Sequence, residues 1–178
     1  MEPSTDRVEA FIARHALDAE IISTPGGVPT VETAATALGV PVDRILKTLV
    51  FIGPSNELVI VIACGTGRVD RRKLATAAGL PKVSIASPDL VLISTGYPAG
   101  GVAPVDLPSD AIVVMDEQVV RHDVLYGGSG TDLHMLRIRS ADIIRLNNAR
   151  VAPILQDPGI ARTSAEIWGG DPESRVLE

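Results

Sequence analysis

The sequence predicts an α+β fold: a mixed, mostly antiparallel sheet that curls or partly closes into a barrel, surrounded by short helices. Three observations point there. Two apolar runs of strand length, residues 47–52 and 58–63, are joined by the short link Gly53-Pro54-Ser55-Asn56, which suits an antiparallel hairpin. The helical segments are brief and stop at a glycine with a proline close behind, as at Gly39 and Pro41 and again at Gly79 and Pro81. Strands and helices also lack the regular βαβα alternation of a doubly wound sheet.

In order along the chain, Ser4, Thr5 and Asp6 supply a cap and a favourable first-turn charge for a helix carrying Val8, Phe11, Ile12 and His15. A short apolar segment at Ile21 and Ile22 ends at the breaker Pro25-Gly26-Gly27. Thr30 then caps a helix whose Val31, Ala34, Ala35 and Leu38 share a face, and Pro41 to Arg44 adds at most one turn. After the hairpin, Asp70 caps a helix to Ala78, Val83 and Ile85 suggest a short strand, and Ser87-Pro88 starts a brief helix through Leu92. Residues 95–108, TGYPAGGVAPVDLP, form a glycine-rich stretch too long for a simple turn. Residues 112–115 read as a strand, 124–126 and 133–138 flank the turn GGSGTD, and Ser140 caps a helix with Ile143, Ile144 and Leu146. Beyond Arg150 the pattern fades. Residues 1–150 are expected to form a single domain and 151–178, with the lone Trp168, a loosely packed arm or an oligomer contact, in a monomer or homodimer.

The 178 residues suffice for one core, and 46% hydrophobic content with mean hydropathy +0.25 fits a globular chain. A net charge of −6 and a pI near 5.0 argue against coating nucleic acid through bulk positive charge, so any such contact has to be local. The single Cys64 excludes an internal disulfide and reads as a small buried side chain. The N-terminus lacks the basic and apolar regions of a signal peptide, and no apolar segment reaches the ~20 residues that span a bilayer, so a cytoplasmic protein without a membrane partner is expected.

Several motifs fall short of chemistry. Gly65-Thr66-Gly67 follows a strand as a dinucleotide turn would, but Asp70 stands where the third glycine belongs and would repel a pyrophosphate. Ser129 lies in GGSGT within an apparent hairpin, a poor nucleophile setting. His15, His122, His134 and Cys64 lack short ligand spacing, so no metal and no cofactor is expected. Arg68, Arg71, Arg72 and Lys73 put four cations into six residues, a candidate phosphate contact for which a solvated helix face is the competing explanation. Lys47 is the sharper signal. In the extended run ILKTLVF, residues 45–51, no register places the lysine among polar neighbours, and burying an unpaired ammonium costs several kcal/mol or forces deprotonation. A strand-end lysine snorkelling to water is the competing reading, and patterning alone leaves both open.

The Lys47-Thr48 pair opening a strand, the apolar LVIVIACG, the helix VDRRKLATAAGL, GYPAGGVAPV, and GGSGTDLHMLRIRSADIIRL occur in an order that resembles the YbaK/EbsC family. These are prolyl-tRNA-editing-like domains that include the insertion domain of bacterial-type prolyl-tRNA synthetase. The resemblance covers roughly residues 8–147. It implies a deacylase acting in trans, without a cofactor, on the ester of a small mischarged amino acid (alanine, cysteine or serine) on tRNA, with tRNAPro the expected carrier. It makes Lys47, Gly101 and Asp132 the catalytic candidates and Thr48, Tyr97, Gly100, Pro104 and Ser129 the substrate-binding ones. The partner is the acceptor end of aminoacyl-tRNA, met by Arg68, Arg71 and Arg72, with a synthetase as a further candidate partner. The Gly100-Gly101 backbone is expected to offer two N–H groups to a developing oxyanion, and Lys47 to act as a charged stabiliser or as a base. Residues from the strands around Lys47, Tyr97 and Pro98, and Leu133 or its neighbours are expected to line the pocket. A non-catalytic ligand-binding module and a hydrolase of small esters unrelated to tRNA are the competing functions.

Overall fold

The computed structural model describes residues 4–158. Helix α1 (Ser4–His15) is followed by β1 (Glu20–Ser23), α2 (Val31–Leu38), the hairpin β2 (Leu46–Ile52) and β3 (Leu58–Cys64), and α3 (Arg71–Ala78). Then come β4 (Ser84–Ile85), α4 (Pro88–Thr95), β5 (Ile112–Asp116), β6 (Val124–Gly128), β7 (His134–Arg139), α5 (Ser140–Asn147) and β8 (Arg150–Ala152). The strands form two sheets, a five-stranded one in the order β4-β2-β3-β5-β8 and a three-stranded one in the order β1-β7-β6. The fold is α+β and mixed as expected, with β3-β5 and β5-β8 parallel and the other pairs antiparallel. It is not closed into a barrel. The sheets meet at an isolated parallel bridge between Ile45 and Tyr126.

β3 sits at the centre because its sequence LVIVIAC is apolar without alternation, the pattern of a strand buried on both faces. Ile60 and Ile62 join Leu46, Val50, Met115, Leu136 and Ile138 in one core. Val59, Val61 and Ala63 join Phe51, Val114 and the inner face of α3 in another. The caps follow the sequence at three helices. Thr30 accepts from Thr33 N, Asp70 from Arg72 N and Lys73 N, and Ser87 from Leu90 N. Ser140 differs: it is the first residue of α5, with Arg139 at the cap position. β7 pairs with β6 through Arg139, and Ser140 N already donates to Asp123 O, so the strand runs straight into the helix and needs no hydroxyl cap.

Two strands escaped the sequence reading, β1 and β8, each too short to show periodicity. β8 matters most, because the expected fading at Arg150 coincides with a strand. Asp116, 1% exposed, accepts from Ile154 N and Gln118 N, and Ile154 and Leu155 are buried against α3. The arm proposed for 151–178 is thus packed through Leu155, and Trp168 lies outside the described residues. Removing the Asp116 carboxylate leaves two backbone N–H groups unpaired, one of them buried. Asp116→Ala is expected to lower stability by about 2 kcal/mol in urea unfolding, with a fall in midpoint and an unchanged slope.

Candidate functional site

β4 pairs only with Phe51 and Ile52, and Ala86 N donates to Val50 O. From Leu46 to Leu49, β2 therefore has β3 as its one sheet neighbour, and its other edge is open. A cavity of about 660 Å3 occupies that edge, between β2, the start of α2, the glycine-rich loop and the β6–β7 turn. Its walls are mostly apolar, from Val28, Val31, Ala34, Ile45, Leu46 and Met135. Lys47, Thr48, Gly100, Gly101 and Asp132 also line it.

Lys47 is half-buried, and its Nζ donates to Gly67 O. Burial holds its pKa below the ordinary lysine value, partly offset by the negative charges of Asp116 and Glu32. Cys64 itself is 2% exposed and burial pushes its thiol up to about 11, so it stays protonated and inert. Thr48 is 9% exposed, and its Oγ1 has no hydrogen-bond partner among the described residues. An unpaired buried hydroxyl is costly, so a polar group arriving in the cavity gains from meeting it.

The loop is built as a turn. Gly101 N donates to Pro98 O at 3.0 Å, and Gly100 stands at the third turn position with φ 86°, where a side chain would be strained. This corrects the expectation of two free N–H groups, since that of Gly101 is committed to the turn. The Gly100 N–H has no partner among the described residues. Gly101 O in turn accepts from Gly130 N at 2.8 Å, which joins the loop to the β6–β7 turn.

The other predicted residues are placed differently. Tyr97 is 0% exposed, its hydroxyl donates to Val105 O, and the Arg7 guanidinium lies 4.3 Å over its ring; burial pushes the phenol up to about 12. It supports the loop from beneath and does not line the cavity. Pro104 is buried and its carbonyl accepts from Asn147 Nδ2, while the buried Ser129 donates to His134 O. Both hold the walls without facing the cavity. Asp132 is exposed at the mouth, in the turn before β7, so strand alternation does not set its direction. Of Leu133 and its neighbours, Leu133 is 48% exposed and absent from the lining, and Asp132 and Met135 line the cavity. Gly128 and the α2 wall were missed. The signal was there in a glycine inside a strand, which marks a close backbone approach.

Two braces reach the site from segments far from it in sequence. Arg7 Nε donates to Asp106 Oδ2 at 2.5 Å and Nη1 to Thr95 O, clamping the loop. The segment after β8 holds the Gly67 region: Asp70 N donates to Ile154 O, Gln156 N to Arg68 O, and a Cβ on Gly67 would come within 2.9 Å of Leu155.

Residues 26–146 match the family described as aminoacyl-tRNA editing domain. A protein of Enterococcus faecalis named "Putative Cys-tRNA(Pro)/Cys-tRNA(Cys) deacylase EbsC" is 28% identical over 123 residues, 69% of this chain and 75% of that one. A proline–tRNA ligase of Citrifermentans bemidjiense is 32% identical over 120 residues, 67% of this chain and 21% of the ligase, so the match is to one part of a longer enzyme. A solved structure described as "a putative trans-editing enzyme for prolyl tRNA synthetase" superposes with a TM-score of 0.80 at 26% identity, covering 88% of this chain and 99% of that one.

A Cβ on Gly128 would lie 2.8 Å from Val102 O and 3.1 Å from the Gly101 carbonyl carbon, backbone atoms that cannot swing aside. Gly128→Ala is expected to cost about 1–3 kcal/mol in stability and to displace the loop, read as a lowered Tm together with changed amide shifts at Gly100 and Gly101.

Proposed function

The chain belongs to the aminoacyl-tRNA editing domain family, and on that premise we propose that it hydrolyses the ester between a small amino acid and the 3′ terminus of tRNA. The observation that carries this reading is the half-buried Lys47 at the open edge of β2, lining a largely apolar cavity together with the glycine-rich loop. Alanine, cysteine and serine are the substrates proposed, on tRNAPro. The α2 wall of Val31 and Ala34 gives the amino-acid side chain an apolar seat, and the unpaired Thr48 hydroxyl offers one polar contact. A second sieve of this kind is useful because one methylene changes binding by only about 1–3 kcal/mol.

In the reaction, water adds to the ester carbonyl and the carbonyl oxygen becomes an oxyanion. The Lys47 ammonium and the Gly100 N–H are the donors available to that oxygen, and a dry wall strengthens both. Collapse of the intermediate breaks the acyl C–O bond, the terminal ribose oxygen takes up a proton, and the free amino acid leaves. Asp132, acidic and exposed at the mouth, pairs with the α-ammonium of the aminoacyl group. No side chain is assigned as nucleophile.

Lys47→Met is expected to reduce deacylation of mischarged tRNAPro about 100-fold or more, followed as loss of labelled amino acid. Retention of the wild-type rate on Ala-, Cys- and Ser-charged tRNA would sink the assignment. Because burial lowers the Lys47 pKa, its charged form prevails below that pKa and disappears as pH rises through it. An ammonium role thus predicts kcat that falls on the alkaline side earlier than a free lysine would titrate, and Lys47→Arg moves that fall to higher pH. A rise in kcat through the same range would identify a neutral base instead.

A further inference from the structure

A second, smaller cavity of about 290 Å3 lies against the first and shares Lys47 and Leu49 with it. Gly67, Arg68, Arg71 and Ile85 also line it. Lys47 stands at the seam, its Nζ donating to Gly67 O. The four cations that the sequence groups together are separated here. Lys73 is taken by Asp157 at 2.8 Å and by the Leu155 carbonyl, and Arg72 lies outside the cavity. Arg68 and Arg71 line it, and neither has an ion-pair partner among the described residues. Among the described residues no carboxylate lines the cavity, and the nearby Asp70 is turned into the start of α3, accepting from Arg72 N and Lys73 N. Leu49 and the 51% exposed Ile85 add apolar surface to the same lining.

On a chain with net charge −6, a concavity lined, among the described residues, by two arginines without an ion-pair partner, by no acid and by apolar side chains suits a ligand that is anionic at one end and flat or apolar at the other. Its size, at the lower limit of ordinary ligand pockets of about 300–1,000 Å3, fits one nucleotide unit rather than a duplex. We propose that this cavity is a subsite for one phosphodiester-linked nucleotide of the single-stranded 3′ end, with Arg68 and Arg71 on the phosphate and Leu49 and Ile85 against sugar or base. The ester then crosses the seam at Lys47. The identity of the ligand rests on the deacylase reading; the anion-plus-apolar chemistry does not.

The test uses the whole protein and an uncharged, 5′-phosphorylated CCA trinucleotide, with binding measured by calorimetry over a range of salt. Arg68→Ala and Arg71→Ala are each expected to weaken binding about tenfold and to lower the salt slope by about one. Arg72→Ala, with the same charge change outside the cavity, is expected to shift Kd by less than about twofold. A parallel arm compares deacylation of aminoacyl-tRNA with that of aminoacyl-adenosine, which lacks the phosphate; the Arg68 and Arg71 variants should lose more on the tRNA, mainly in KM. Equal losses for all three arginine variants, displacement of the trinucleotide by inorganic phosphate alone at matched concentration, or no binding each overturn the subsite. Arginine-dependent trinucleotide binding without any deacylation keeps the subsite and rejects the hydrolytic reading. Deacylation that responds to Arg68 and Arg71 no more than to Arg72 does the reverse.

Discussion

Val59, Ile60, Val61 and Ile62 of β3 are inaccessible to solvent, so this strand has a core on each side and no face on which a polar side chain can be placed without penalty. Polar chemistry is displaced to the neighbouring strand, β2. There the brevity of β4 leaves the stretch from Leu46 to Leu49 covered on one edge only. The cavity, the lysine and the adjoining arginine-lined hollow all follow from that gap. A longer β4 would pair the same backbone and fill the space in which a ligand is to lie.

The lysine is held in a balance between two effects. Burial removes water from the ammonium and weakens its hold on the proton, while the Gly67 carbonyl and the field of Asp116 and Glu32 favour the charge. A fully exposed lysine would be a hydrated point charge with little effect on a carbonyl, and a fully buried one would be neutral. Half-burial at a strand edge lies between these limits, and an open edge is the place in a sheet where it is geometrically available.

Much of this was legible in the sequence, for identifiable reasons. Helix caps at Thr30, Asp70 and Ser87 are local signals, and the structure shows each one. Lys47 stood out because burial patterning needs no knowledge of distant partners. The loop residues were read less well. Tyr97 reads as an aromatic beside a pocket, but its orientation is set by Arg7, which lies 90 residues earlier in the chain, and by Val105, so nothing near it in sequence reveals that it points inward to the core. The Gly101 amide was counted as free because a glycine pair suggests exposed backbone, whereas the turn from Pro98 spends it. β8 was invisible for a related reason: a strand of three residues is defined by the neighbour it meets, not by its own pattern.

The residues that brace the site lie largely outside the region by which the family is recognised. Arg7 precedes the match at 26–146, and Ile154, Leu155 and Gln156 follow it, yet they fix the underside of the glycine-rich loop and the carbonyl that receives the lysine. Exchange of these flanking residues would therefore loosen that carbonyl while leaving every residue that lines the larger cavity in place. The shape of the site lies in the matched region and part of its mechanical support lies in the flanks, so the bounds of the match are narrower than the set of residues that hold the site together.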